Sequence, residues 1–174
     1  DDFDVLLKEP VVSVATRHNE ALLVTDSGEA WLIGPNTTNS QKRRGAVSGG
    51  SGLAQVARQG SRWWALDTQG RLWSSSGTSM TMEYVAVPFG PVRHLVAGEA
   101  YVAVLCGEEL YSLTDRAWKL IDTDVESLDG GEGHYAWRNT QGRVRVFGSA
   151  RWGATGTIRV SYLEKPDTTW SLAS

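Results

Sequence analysis

Short apolar runs separated by glycine-centred polar turns set the pattern of this chain. Three of the turns read Asp26-Ser27-Gly28, Thr68-Gln69-Gly70 and Thr140-Gln141-Gly142. Before them stand Ala21-Leu22-Leu23-Val24, Trp63-Trp64-Ala65-Leu66 and Tyr135-Ala136-Trp137. After them stand Ala30-Trp31-Leu32-Ile33, Leu72-Trp73 and Val144-Arg145-Val146-Phe147. Such pairs predict β-hairpins, with glycine supplying the positive φ that the turn demands. Fourteen residues before each glycine lies an apolar anchor: Val14, Val56 and Leu128. A looser copy starts at Leu95, with the runs Tyr101–Leu105 and Leu110–Leu113 around the turn Cys106-Gly107-Glu108-Glu109.

A fixed distance from anchor to turn predicts an internal repeat. Extended segments precede three of the anchors, at Phe3–Leu7, Tyr84–Pro88 and Trp118–Ile121. The stretch before Val56, residues 35–52, is polar and glycine-rich and predicts a long flexible loop. Ile158–Leu163 is a further extended segment, and Trp170-Ser171-Leu172-Ala173 mirrors Val12-Ser13-Val14-Ala15. The expected organisation is one repeat domain, 1–174, with units at about 1–46, 53–82, 83–116 and 117–157. Residues 158–174 then start another unit or supply a closing strand. Three or four short strands per unit, at a period of about 33 to 44 residues, predict an all-β fold. It is a β-propeller or partial propeller of about four short blades. A single blade cannot bury both faces of its sheet, so blades must stack, and the 8 tryptophans supply contact area for that. An ordinary β-sandwich is the competing fold, but it does not require a fixed distance to glycine.

The fourth unit resembles the regulator of chromosome condensation repeat, a propeller blade. That pattern has an apolar anchor, a small residue and a glycine, then a histidine six residues after the anchor. An apolar strand, a turn glycine, a second strand ending in glycine and a loop with two further glycines follow. Leu128, Gly130, Gly131, His134, Gly142, Gly148, Gly153 and Gly156 stand at those places, with Ala150 where the family usually has asparagine. The first unit keeps Val14, Ala15, Gly28, Gly34 and Asn36, but has Arg17 and Glu20 for the glycine and histidine. The second keeps Val56, Ala57 and Gly70, with Gln59 and Arg62 as departures and Gly77 one place late; the third keeps Ala97 and Gly98 and has Tyr101 at the histidine place. The resemblance implies a structural hydrogen bond at His134. Its best-known members have seven blades, so four and the start of a fifth leave three expectations. The chain is a fragment, a smaller closed propeller, or an open arc whose edges another chain covers.

Composition narrows the function classes. The formal net charge of −3 lacks the basic footprint of a general nucleic-acid binder. No apolar run is long enough to span a bilayer as a helix. The single Cys106 excludes an internal disulfide and sits in an apolar run, as a buried inert thiol does. A chain without a disulfide weakly favours an intracellular setting, and its compartment is otherwise unassigned. The acidic run Asp122–Asp129 has calcium-like alternation, but Ser127 replaces the turn glycine and Gly133 the bidentate glutamate, so solvated strand-edge carboxylates are expected. Gly130–Gly133 and Ser48–Gly52 lack the Lys-Ser/Thr and helix of a phosphate-binding loop. His18 and His94 read as surface or turn residues.

No catalytic set, metal site or cofactor emerges. The expected role is a non-enzymatic protein–protein interaction scaffold, a subunit or adaptor of a larger assembly. Partner contacts are expected on the loop carrying Lys42, Arg43 and Arg44, where nucleic acid is also conceivable, and then at Arg151 and Trp152. The resemblance adds guanine-nucleotide exchange on a small GTPase as an alternative; a secreted lectin or inhibitor is the second.

Overall fold

The computed structural model describes residues 9–17, 20–35, 42–46, 48–75, 81–114, 116–131 and 133–148, with backbone alone at 17, 35 and 42–46. Blade 1 comprises β1 (Val11–Arg17), β2 (Glu20–Thr25), β3 (Ala30–Pro35) and β4 (Lys42–Ala46). Blade 2 comprises β5 (Leu53–Gln59), β6 (Arg62–Asp67), β7 (Leu72–Ser74) and β8 (Glu83–Val85). Blade 3 comprises β9 (His94–Ala97), β10 (Val102–Cys106), β11 (Glu109–Thr114) and β12 (Ala117–Asp122). Blade 4 comprises β13 (Val125–Gly130), β14 (His134–Asn139) and β15 (Val144–Gly148). Each blade is an antiparallel meander with its strands side by side in chain order. The first strands pack in succession, β1 on β5, β5 on β9 and β9 on β13, and all four line one central recess. The sheets are therefore wedges about a common axis, and the fold is a partial β-propeller.

Two sequence expectations are corrected. Lys42, Arg43 and Arg44 do not lie on a loop: they form β4, paired with Pro35, Gly34 and Ile33 of β3. A β-sheet edge satisfies half of a strand's backbone groups whatever the side chains, so a polar composition did not prevent pairing. The extended segments before Leu95 and Leu128 are the outer strands of the blade they follow. Tyr84 pairs with Trp73, and Trp118 with Leu113. The local signal was right; chain proximity to the next anchor misassigned the sheet. Phe3–Leu7 and residues 151–174 lie outside the described residues.

A second constant spacing explains how the wedges adhere. In blades 2, 3 and 4 the residues at anchor −3, anchor, anchor +7 and anchor +9 face the preceding blade and are buried. They are Leu53, Val56, Trp63 and Ala65 in blade 2, and Val92, Leu95, Val102 and Val104 in blade 3. Val125, Leu128, Tyr135 and Trp137 follow in blade 4. The intervening β-strand positions face the next blade, as a period of two requires. Trp63 thus enters the core shared by blades 1 and 2, while its neighbour Trp64 enters the core shared by blades 2 and 3. Between blades 3 and 4 the core gathers Tyr101, Tyr135, Trp137 and Phe147.

The repeated turns supply the other tie. Thr25, Asp67 and Asn139 each donate their N–H four residues ahead, to Glu29, Arg71 and Arg143, and accept from the turn glycine. Gly28, Gly70 and Gly142 have φ of 82°, 78° and 79°. The Gly28 carbonyl accepts from Leu53 N–H of blade 2, and the Gly70 carbonyl from Val92 N–H ahead of blade 3. At Gly70 an added Cβ would stand 2.6 Å from the Pro91 Cβ and 2.8 Å from the Val92 oxygen. The third blade turns more tightly, through Gly107-Glu108, and there Glu108 supplies the carbonyl, to Val125 N–H. At that turn an added Cβ on Gly107 meets nothing within 4 Å.

These contacts separate two roles of glycine. Gly70→Ala should lose about 2–4 kcal/mol, combining left-handed strain with a clash between blades. Gly107→Ala, with φ of 57° and open space, should lose only about 1 kcal/mol. Equilibrium urea unfolding of both variants checks the difference.

Candidate interaction surface

In an antiparallel meander every turn from a first to a second strand falls at the same end of the sheet. Here that end carries Gly60-Ser61, the Gly98–Tyr101 turn, Gly131 and Gly133, with the ends of β3 and β15 beside them. The turns border the mouth of the central recess, about 850 Å³ in volume. Arg58, His94, Glu99 and Asp129 bring both signs of charge to its wall. Glu99 and Asp129 are exposed, Arg58 and His94 half-buried. Among the described residues no group of three or more His, Cys, Asp or Glu is placed to hold a metal ion. A polar recess ringed by turns on rigid strands is suited to recognition.

The wall is held by side chains one residue before each anchor, which reach the anchor of the next blade. Ser13 Oγ accepts from the Val56 N–H at 3.0 Å. Gln55 takes both backbone groups of Leu95: its Nε2 donates to the carbonyl at 2.8 Å and its Oε1 accepts the N–H at 3.0 Å. His94 hydrogen-bonds the Leu128 backbone. Burial lowers the His94 pKa below its ordinary value; the nearby Asp129 and the Leu128 bond oppose that shift, and Arg93 adds to it. Burial therefore favours the neutral ring in the folded chain. His94 is thus a half-buried junction residue, not the surface or turn histidine its neighbourhood suggested.

Tyr101 seals the same junction at the turn end. Its hydroxyl donates to the carbonyls of Gly131 at 2.5 Å and His134 at 2.7 Å. Burial pushes its pKa up to about 12. A Cβ on Gly130 would lie 2.6 Å from that hydroxyl. Tyr101 stands at the histidine place of the third repeat, so the hydrogen bond expected of His134 is made by a tyrosine one blade earlier. The His134 ring is exposed; its carbonyl accepts from Tyr101 and from Gly131 N–H. Its Cα partner is Gly148, where an added Cβ would collide with the His134 Cβ. A Cβ on Gly131 would meet nothing within 4 Å, so sterics do not demand glycine there.

Aspartates do more than the acidic run indicated. Asp122 is not a solvated carboxylate: its Oδ2 accepts from Trp137 Nε1 and Arg145 Nη1, both at 2.6 Å, bridging blades 3 and 4. Asp67 is the counterpart within blade 2. Its burial raises its pKa, but bonds from Arg71 N–H, Trp73 Nε1, Arg71 Nε and Gln69 N–H outweigh that and hold it below the ordinary value. Cys106 is buried and donates to the Gly90 and Pro91 carbonyls, and burial raises its thiol pKa. Of the expected partner contacts, Lys42, Arg43 and Arg44 belong to the outermost strand of blade 1, away from the recess wall. Arg151 and Trp152, with Gly153 and Gly156, lie outside the described residues. Ser13, Gln55 and His94, which reach the next anchor, carry no common chemistry in the sequence; only their shared offset from the anchors marks them.

No protein-family model matches the sequence, and no curated protein matches it. Solved structures do match. Human WBSCR16 superposes with a TM-score of 0.72 at 20% identity, covering 90% of this chain and 52% of its own. Yeast RCC1 (Prp20), solved bound to Kap60, gives 0.66 at 14% identity, covering 84% and 45%. The N-terminal domain of Nup159 gives 0.61 at 13% identity, covering 92% and 47%. The chain spans about half the length of these solved chains. Its fold is that of a β-propeller arc, the architecture implied by the repeat at 128–156.

Tyr101→Phe removes one donor from two carbonyls and should cost about 1–3 kcal/mol in urea unfolding. For His94, the unfolded chain takes up its proton at a higher pH than the folded one does. Its contribution to stability is therefore complete above about pH 6.5 and lost as pH falls from there through the lowered folded value. Unfolding free energies measured from pH 7.5 to 5 should decline, and His94→Gln should flatten that part of the profile.

Proposed function

We propose that this chain is a protein-interaction platform and not a catalyst. The observation that supports the reading is the gathering of first-to-second-strand turns from successive blades around one recess of mixed charge. The strands behind them are rigid, and Gln55 on the wall is committed to the backbone of Leu95 in the next blade. Such a surface offers shape and charge to a protein partner without a positioned nucleophile or base. Arg62 and Glu99, exposed at this end, are its leading contacts, in preference to the β4 cluster of Lys42, Arg43 and Arg44. Arg151 and Trp152 follow the end of β15, which lies at the same end, and remain candidate contacts on that ground.

Guanine-nucleotide exchange is the second reading. It is favoured by the structural likeness to Prp20p from Saccharomyces cerevisiae, whose solved structure was described with its binding to Gsp1p and histones. It requires a protein partner on a propeller face and no catalytic side chain, so it is a special case of the platform.

Affinity capture followed by calorimetry with each purified partner tests the proposal. Wild type should bind one protein stoichiometrically. Arg62→Glu with Glu99→Lys should weaken that binding at least tenfold, while Gln69→Lys, at the opposite end, leaves it intact. Absence of a stoichiometric protein partner, or equal loss in both variants, refutes the assignment. Accelerated nucleotide release from a small GTPase would select the exchange reading.

A further inference from the structure

Near the axis, one side chain placed immediately before each anchor ties its blade to the next, and the three ties differ in one chemical respect. Ser13 and Gln55, on the backbone of Val56 and of Leu95, are neutral at any working pH. His94, on the backbone of Leu128, belongs to the residue type that ordinarily changes charge between about pH 5 and 8. Among the described residues, the junction between blades 3 and 4 is thus the one whose axial contact responds to protons.

The ring sits where a positive charge is poorly accommodated. It is half-buried between the central recess and a second hollow of about 660 Å³, with β13 of blade 4 packed against its strand. The charged groups around it are Asp129 on β13, Arg93 on its own strand, and Arg58 and Glu99 on the recess wall. Asp67, in the second hollow, is committed to Gln69, Arg71 and Trp73 within blade 2. Glu126 of β13 is paired with Arg138, and β10 carries no charged residue. Asp129 is exposed and its Oδ1 accepts the Gly130 N–H at 2.8 Å, so water screens its attraction for the ring. Burial prevails over that attraction, and the closed junction disfavours the charged ring.

We propose that the junction between blades 3 and 4 is a proton-operated hinge: acid draws blade 4 away from blade 3 at His94 and leaves the junctions at Ser13 and Gln55 closed. The ring binds a proton more readily once blade 4 lifts and water reaches it, so protonation shifts the balance toward the open form. Other ties hold the junction shut at neutral pH. The Arg93 guanidinium donates to the carbonyls of Val125 and Glu126, the Tyr101 hydroxyl to those of Gly131 and His134, and Asp122 accepts from Trp137 and Arg145. The open form is therefore a minor, local population whose size the proton tunes. Blade 4 carries Asp129, Gly130 and Gly131 of the recess wall, so the hinge moves one side of the recess mouth against the rest. The inference concerns motion between blades of this chain and does not rest on the platform reading.

Native-state hydrogen exchange of the 174-residue chain tests the hinge, read by mass spectrometry at pH 7.5 and 5.5 and corrected for the intrinsic exchange rate at each pH. Protection of amides in β13 and β14 should fall several-fold at the lower pH, by about tenfold at most for one proton. Protection in β5 and β6 should stay as it is. His94→Gln, which copies the tie made by Gln55, should abolish the fall in β13 and β14. His134→Gln, at an exposed ring, should keep it. If circular dichroism shows His94→Gln to be unfolded, the comparison between blades of the wild type decides alone. Constant protection in blade 4, an equal fall in blades 2 and 4, or a fall that persists in a folded His94→Gln overturns the inference.

Discussion

Every part of this molecule depends on one sheet lying on the next. A blade of three or four short strands leaves both faces apolar, and only a neighbour can dry them. The sequence meets that demand with four positions per blade at fixed offsets, filled by Leu53, Val56, Trp63 and Ala65 in one blade and by Val125, Leu128, Tyr135 and Trp137 in another. Side-chain identity varies widely within that frame, from alanine to tryptophan. The outward face of the previous blade accommodates the difference: small Ala103 and Ala57 sit in blades whose successors or predecessors bring large rings. Area burial of this kind is non-directional. It would hold the sheets together but not fix their rotation about the axis.

Rotation is fixed by hydrogen bonds that cross each junction at both ends. Near one end, a turn carbonyl of Gly28, Gly70 or Glu108 receives the N–H of the residue that leads into the next blade. Near the axis, Ser13, Gln55 and His94 reach the following anchor. Two points of attachment on a flat contact define an angle, and so they place the turns that ring the recess. The surface offered to a partner is thereby a consequence of junction geometry and not of the loops' own conformational preferences.

The hairpins and the all-β fold were legible because positive-φ glycine and alternating apolar runs are local signals. Gly28, Gly70 and Gly142 mark the same turn with the same hydrogen bonds, and the repeat at 128–156 indicated the blade family. What escaped was non-local. Nothing in Lys42-Arg43-Arg44 announces a strand, since β4 exists because β3 offers an edge. Tyr84 and Trp118 read as extended, yet only pairing reveals which sheet owns them. The junction residues were missed for a different reason. Serine, glutamine and histidine do not look like one motif, and their shared task appears only when blades are superposed. His94 and Asp122 look solvent-facing in the sequence because burial by a neighbouring blade leaves no trace in the flanking residues.

Near the axis, Ser13 and Gln55 address main-chain atoms across the gap and not another side chain's functional group, whereas Asp122 at the outer edge meets the side chains of Trp137 and Arg145. A backbone N–H or carbonyl is present whatever residue occupies the position, proline's missing N–H excepted. At the axis positions, one polar residue can therefore stand in for another without a matching exchange opposite. Successive wedges can differ in sequence while their docking angle stays the same, and that is how one blade geometry is kept along a chain whose repeats look little alike.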